Sequence, residues 1–357
     1  MFNPFTSFGG KSCLGVDIGT TAIKIVEVGG SRAEPKLLNY GVLETHGYLT
    51  RQNAAIQTGG LKAIEDEAAA LLGRLIKESG FRTRDAVAAL PSFSAFITVF
   101  EIPEMPDADI LKTLQFQIPQ YIPIPPEEAV IDWLPVGERK DDQGLVKKQI
   151  LLITVPKDAI ERYKSIFRLA GLRLRVLEVE SLSVIRALAR GDETPVIIVD
   201  IGSRSTNIAV THKGFLLQNS QTDFAGASLT QAIANGLGIT MKRAEELKRE
   251  RGIRFTQENS ELSTLTLPFL DAILNEVKRV RATFEKNAGV KIERIILAGG
   301  SANTVGLPDY FAKHLEIGAD IANPFLVVRH DPALVPIARE IGPMLAVALG
   351  LGMREFS

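Results

Sequence analysis

Two stretches of this 357-residue chain echo each other, and the echo limits the possible folds more than any other feature. LGVDIGTTAIKIVEV at residues 14–28 and VIIVDIGSRSTNIAV at 196–210 both run strand, Asp, apolar residue, Gly, hydroxyl-rich turn, strand. Asp17 aligns with Asp200, Gly19 with Gly202, and Thr20 with Ser203. A single acidic hairpin of this kind is common, because Gly tolerates the tight turn. Two of them, opening two successive halves of one chain, mark a duplicated unit. They predict two α/β domains whose turns face one another across a cleft.

The residue types suit a polyphosphate in that cleft. Gly19 and Gly202 let the backbone come close to a phosphate. After them come consecutive N–H groups and hydroxyls, Thr20 and Thr21 in one turn and Ser203, Ser205 and Thr206 in the other, a pattern that binds anions. Asp17 and Asp200 repel phosphate and are expected instead to hold water on Mg²⁺, a metal that prefers oxygen ligands. Lys24, on the returning strand, has two readings: a contact to a β- or γ-phosphate, or a solvated strand residue. A third glycine element, IILAGGSANTVGLP, places Gly299 and Gly300 between a strand and a helix. A flat group such as a purine can stack on backbone left bare there. Alone it reads as a plain strand-to-helix turn; its weight comes from following two acidic hairpins.

The rest of the chain fits two domains and an insertion. Strands are expected at 14–28 and 36–43. A helix follows at 60–80, with Leu61, Ile64, Ala68, Leu71, Leu72, Leu75 and Ile76 at helical spacing. AVAALP and FITVFEIP read as strands. Six prolines then fall between residues 103 and 126, around one short helix near 107–117, and a polar hairpin tip covers 138–144. KKQILLITVP is a strand, 157–169 a helix and LRVLEVE a strand. In the second half, three strands in 194–222 precede helices at 227–237, 241–251 and 265–288. A strand, a Gly-Gly turn and a helix follow, and a small-residue helix closes the chain. The expected boundaries are 12–103 for the first domain, 104–173 for an inserted α/β module, 174–193 for a connecting helix, 194–340 for the second domain and 341–357 for the last helix.

Composition excludes several function classes. The 41 basic and 42 acidic residues leave a net charge of -1, so no global field favours nucleic acid or an anionic membrane. Cys13 is the one cysteine, which rules out a disulfide framework and a Cys-based zinc site. His46, His212, His314 and His330 are scattered, which disfavours a multi-His metal centre. No stretch reads as the roughly 18 apolar residues of a membrane-spanning helix, and MFNPFTSFGGK does not read as a signal peptide. Phe2, Phe5 and Phe8 leave two readings open, a tail packed on its own domain or one that touches a partner or a membrane.

The ordered set of elements resembles the actin-like ATPase superfamily. DIGTTAIK resembles its phosphate-1 motif, EVESLSVIRALAR connect-1, DIGSRSTNIAV phosphate-2, LAGGSAN the adenosine motif and IGPMLAVALGLGM connect-2. A module inserted in the first domain resembles FtsA and its relatives; in DnaK-type chaperones and actin the insertions lie elsewhere. More narrowly, QIPQYIPIPPEEAVIDW, AGASLTQAIANGLGI with AEELK, and AGGSANTVGLPDYF with ANPF resemble the PilM family of type IV pilus machines, over nearly the whole chain.

That resemblance implies an α/β, actin-like (ribonuclease H-like) two-domain ATPase fold with an inserted FtsA/PilM-type subdomain, and ATP with Mg²⁺ in the cleft. Glu180 matches the residue that orients the attacking water in relatives, which leaves slow ATP hydrolysis open. Glu245 and Lys248 match residues that reach the ribose or base, against an equal reading as a surface ion pair. Asn303 lies in the adenosine motif. Arg204 stands where relatives carry a smaller residue; it either reaches the phosphates, crowds them or points to solvent. The implied role is a cytoplasmic scaffold held at the inner membrane through protein partners. In it, the first domain and its insertion form a groove for the N-terminal tail of a PilN-like membrane protein. Other pilus platform proteins, a related type II secretion machine and self-association are open. An FtsA-like filament-forming division protein is the alternative, although the chain shows no terminal amphipathic membrane helix. A sugar kinase of the superfamily needs a further catalytic Asp, for which no candidate stands out.

Overall fold

The computed structural model describes residues 12–45, 61–106, 109–110, 112–113, 124–140, 144–253 and 260–356. The Phe-rich tail, His46, most of the proline-rich stretch and the hairpin tip at 141–143 lie outside the described residues; of the helix expected near 107–117, Asp109, Ile110, Lys112 and Thr113 are described and are helical.

The first half runs β1 (Ser12–Ile18), β2 (Ala22–Gly30), β3 (Pro35–Glu44), α1 (Leu61–Ser79), β4 (Asp85–Leu90), β5 (Phe96–Pro103), β6 (Ala129–Lys140), β7 (Val146–Pro156), α2 (Lys157–Leu169), β8 (Arg173–Val179) and α3 (Glu180–Leu188). The second half runs β9 (Val196–Ile201), β10 (Thr206–His212), β11 (Phe215–Thr222), α4 (Gly226–Leu237), α5 (Met241–Arg251), α6 (Ser260–Ala288), β12 (Arg294–Ala298), α7 (Leu307–Leu315), β13 (Gly318–Ile321) and α8 (Val335–Gly352).

The repeat extends to whole sheets. One sheet has the order β3-β2-β1-β4-β8 and the other β11-β10-β9-β12-β13, with the same antiparallel and parallel pairings. Strand register repeats too. Asp17 pairs with Lys24 across β1 and β2, and Asp200 pairs with Asn207 across β9 and β10.

Both sheets are buried on two faces, which explains why β1, β4, β9 and β12 are apolar at almost every position. Leu14, Val16, Ala86 and Ala88 face outward onto α1 and α2. Ile197, Val199, Ile208 and Ile295 face outward onto α6 and α7. The opposite faces, through Val26, Val87, Val176, Ile198 and Ala298, share one core with α3 and α8, which lie between the sheets.

Small residues allow that close packing. A Cβ at Gly15 would sit 1.9 Å from the Ala348 carbonyl, and one at Gly350 1.9 Å from that of Ser183. The apolar run of α8 is therefore a requirement of the core. The stretch Pro332–Phe356 is long and apolar enough to cross a membrane, contrary to the expectation that no run qualifies; its helix lies mostly buried between the sheets.

The third sheet, β5-β7-β6, sits between β4 and β8 in the chain. Among the described residues β5 pairs only with β7, although the boundary expected at residue 104 leaves it in the first domain. α2 packs Ile160, Ile166 and Phe167 into the first domain's outer core. We propose that the inserted unit covers residues 96–156 and that α2 is the first domain's own crossover to β8. A parallel β4–β8 pair needs a crossover of this kind, and α2 leads directly into β8. The helix expected at 265–288 starts earlier, at Ser260, and β13 is an element that the sequence pattern did not signal.

Candidate functional site in the cleft between the two sheets

The two acidic turns close alike. The Gly19 N–H donates to the Ala22 carbonyl at 3.0 Å, and the Gly202 N–H to the Ser205 carbonyl at 3.1 Å. Among the described residues no protein acceptor takes the backbone N–H of Thr20, Thr21, Ser203 or Arg204. Each turn thus offers two adjacent donors, the arrangement that receives an anion. Each turn is braced from elsewhere. Thr45 donates its N–H to the Thr21 carbonyl and its hydroxyl to that of Thr20, at 2.9 and 3.2 Å. The N–H groups of Gly226 and Ala227, at the start of α4, donate to the carbonyls of Gly202 and Ser203. A Cβ at Gly226 would lie 2.3 Å from the Ser301 hydroxyl, so this glycine lets three segments meet.

Asp17, Lys24, Asp200 and Glu180 converge beside these turns. Lys24 Nζ donates to Asp17 Oδ2 at 3.0 Å, and Glu180 accepts the Ser92 N–H at 3.3 Å. Burial, with Asp17 and then Asp200 nearby, pushes the Glu180 carboxyl up to about 8. Burial and Asp17 raise Asp200 to about 6. Burial works against the charge of Lys24, but Asp17, Asp200 and Glu180 outweigh it and hold its ammonium above the ordinary lysine value. Three carboxyl groups against one ammonium make a site short of positive charge, which a divalent cation would offset. Among the described residues no three His, Cys, Asp or Glu side chains come together to ligate one ion directly. A cation held through water by Asp17 and Asp200 suits that donor set.

The glycine pair of the adenosine-like motif divides its work. Gly299 has φ +86°, and a Cβ there would meet Asp200 Oδ1 at 2.4 Å. Nothing lies within 4 Å of a Cβ at Gly300, so space remains beside that backbone.

Thr206 is buried and gives its hydroxyl to the Phe224 carbonyl at 2.7 Å, away from any phosphate role in this state. Ser203 and Ser205 stay in the turn. Lys248 is 4% exposed, so it is no surface ion pair. Its ammonium reaches the Gly226 carbonyl at 3.1 Å, Thr230 Oγ1 at 2.9 Å and Glu245 Oε2 at 2.7 Å. Those three partners match its three donors. Burial pulls its ammonium below the ordinary lysine value, against the pull of Glu245. Glu245 is the more open partner and also accepts from Thr230 and Arg249. Asn303 is exposed and donates to the Glu340 carbonyl at 2.6 Å. Arg204 reaches neither solvent alone nor a carboxylate: its guanidinium lies 4.7 Å from the centre of the Phe93 ring, in the short turn Ser92–Ser94.

Thr45, Ser92 and Phe93 lie outside the motifs quoted above and carry no sequence signal; Gly226 lies inside AGASLTQAIANGLGI, but its contact with the second turn shows only in the fold. Asn207 stands opposite Asp200 in the second hairpin as Lys24 stands opposite Asp17 in the first. It donates to Ser181 Oγ, which in turn donates to Asn219.

A duplicated domain with facing acidic-glycine turns, two helices between the sheets and a shared cleft is the actin-like fold. Residues 15–356 match the family model described as type IV pilus assembly protein PilM, and the chain belongs to that family. It superimposes on the solved PilM-PilN type IV pilus biogenesis complex with a TM-score of 0.81 and 26% identity, covering 97% of this chain and 98% of that one. MreB5 of Spiroplasma citri bound to AMPPNP shares the fold, with a TM-score of 0.55 and 13% identity over 95% of this chain and 94% of that one. Cell division protein FtsA of Bacillus subtilis strain 168 is 26% identical over 155 residues, 40% of this chain and 35% of that protein. The match thus spans about a third of the FtsA chain.

Proposed function

We propose that the chain is an ATP-binding, actin-like scaffold of a type IV pilus inner-membrane platform, and that it docks the N-terminal tail of a PilN-like membrane protein. The observation that carries this reading is the likeness, along nearly the full length, to a protein solved in a PilM-PilN complex. ATP would lie with its phosphates between the two turns, its base near Gly300, and Mg²⁺ held through water by Asp17 and Asp200. The metal supplies charge neutralisation on the phosphates when bound. Glu180, at the N-terminus of α3, is positioned to hold a water, and its raised pKa keeps it largely neutral until positive charge enters the cleft. Slow turnover suits such a group. The same cleft charge balance supports nucleotide and metal entering together.

The docking site would be the apolar groove between the inserted sheet and the first domain. Leu90, Val130, Leu134, Ile153, Val155 and Leu182 line it. Asp132 stands in its wall, with its carboxyl raised by burial. At about 60 Å³ it is narrow in this state and must widen to take a peptide. Glu178 at its base is held by Arg186 at 2.6 Å and by Arg354 at 3.3 Å, and Arg186 also binds the Gly350 carbonyl of α8. Groove and interdomain helices therefore share one charged junction. A ligand in the cleft can favour docking only by binding more tightly to the state whose groove is open.

Calorimetric titration of a PilN-like N-terminal peptide into the protein, with and without ATP–Mg²⁺, tests the reading. Binding that Leu134→Glu abolishes supports it. Binding that Leu134→Glu leaves unchanged overturns the groove assignment, and equal affinity with and without nucleotide overturns the coupling. Pelleting with liposomes in the absence of any partner would favour instead an FtsA-like membrane filament.

A further inference from the structure

Arg204 is the one residue of the two glycine turns whose role the proposed nucleotide site does not explain. It occupies the second central position of the turn Gly202–Ser205, beside an N–H that no protein acceptor takes among the described residues. Its guanidinium crosses the cleft to the first domain and lies over the Phe93 ring at 4.7 Å. Phe93 itself is 40% exposed, so the ring is an accessible platform and not part of a core. Among the described residues no Asp or Glu pairs with Arg204. A guanidinium on a half-open ring is held weakly, whereas a phosphate offers it two parallel charged hydrogen bonds.

From this we infer that Arg204 distinguishes a nucleoside triphosphate from a diphosphate, by leaving Phe93 for the terminal phosphate. The inference rests on the proposed nucleotide site. Arg204 and Lys24 belong to the two hairpins proposed to hold the phosphates, so each is a candidate partner for a terminal phosphate. Lys24 is already paired with Asp17, which leaves Arg204 as the cation whose partner is an uncharged ring.

The exchange has a route outward. Phe93 sits in a single 3₁₀ turn closed by the Ser94 N–H to the Pro91 carbonyl at 2.8 Å and the Ala95 N–H to that of Ser92 at 3.2 Å. On one side of that turn is Leu90, in the groove wall; on the other is β5, an edge of the inserted sheet. The adjacent Ser92 N–H holds Glu180. Release of Phe93 therefore loosens a five-residue link between the cleft, the water-positioning carboxylate and the inserted sheet. Guanidinium exchange between a ring and a phosphate is a two-state device of the kind that couples two sites.

The test is titration of ATP–Mg²⁺ and ADP–Mg²⁺ into the wild type, Arg204→Gln and Phe93→Leu. The wild type is expected to prefer ATP. Arg204→Gln should lower the ATP-to-ADP affinity ratio by about tenfold or more, the usual weight of hydrogen bonds to a charged group, with ADP affinity nearly unchanged. Phe93→Leu should keep that preference, because it removes only the competing ring. Amide hydrogen exchange of residues 92–95 gives a second readout. ATP should speed it in the wild type and leave it unaltered in Arg204→Gln. If the wild type binds ATP and Arg204→Gln keeps the wild-type ratio, the inference is overturned while the nucleotide site stands. If the wild type binds neither nucleotide, the nucleotide site itself is overturned and the inference with it.

Discussion

Replacing Glu180 by Gln should make the protein more stable than the wild type at high pH, and nearly equal to it at pH 5. The carboxyl titrates at about 8 in the folded protein, against an ordinary 4.5. Between those values the folded chain keeps a proton that the unfolded chain has given up, so stability falls as pH rises. The contribution is fully present below 4.5 and lost once pH has passed through 8. At 1.36 kcal/mol per pH unit, the interval corresponds to about 5 kcal/mol. Glu180 keeps part of its surface in the water of the cleft, so about half of that is expected. Gln carries no titrating proton and can still accept the Ser92 N–H. Asp200 shifts in the same direction but is present in both proteins, so it cancels in the comparison. Melting followed by circular dichroism at pH 5, 6.5 and 8.5 measures the difference. At about 1.3 °C per kcal/mol for a chain of this length, the variant should melt roughly 3 °C above the wild type at pH 8.5. A difference that does not change with pH, or a variant that melts lower at pH 8.5, would refute the charge-crowding argument.

The two glycines at residues 299 and 300 should behave oppositely. Gly299→Ala puts a Cβ 2.4 Å from Asp200 Oδ1 at φ +86° and should cost about 2–3 kcal/mol in urea unfolding, whereas a Cβ at Gly300 meets no atom of the described residues within 4 Å, so Gly300→Val should fold normally while losing ATP binding. A Gly300 variant with wild-type ATP affinity would remove the base from that place. Lys248→Met should cost about 1–2 kcal/mol, because the Gly226 and Thr230 acceptors lose a buried donor while Glu245, 34% exposed, can turn to water. Unchanged unfolding would mean that Lys248 does not tie α5 to α4.

The duplicated fold was legible because its signal is local. Asp17 and Asp200, the glycines behind them and the strand pairs around them lie within fifteen residues of one another in each half. Both turns form by short-range hydrogen bonds that any copy of the pattern can make. Features that depend on distant partners were not legible. The allegiance of β5 is set by pairing with β7, about fifty residues on. Lys248 lies in a strongly polar helix, and its burial comes from the Gly226 carbonyl and Thr230 on α4. Thr206 looked like part of a hydroxyl-rich phosphate turn, but the Phe224 carbonyl takes its proton. Arg204 allowed three readings in sequence. The ring that holds it lies more than a hundred residues earlier, in a turn with no motif of its own.

In the proposed site two acidic turns clamp ATP and its Mg²⁺ between the domains. Calorimetric titration of ATP, with Mg²⁺ and with Mg²⁺ chelated, into the wild type and into Asp17→Ala combined with Asp200→Ala tests it most directly. Mg²⁺ should strengthen ATP binding by the wild type, and the double variant should lose most of that gain. Equal ATP affinity and equal Mg²⁺ dependence in the two proteins would contradict it.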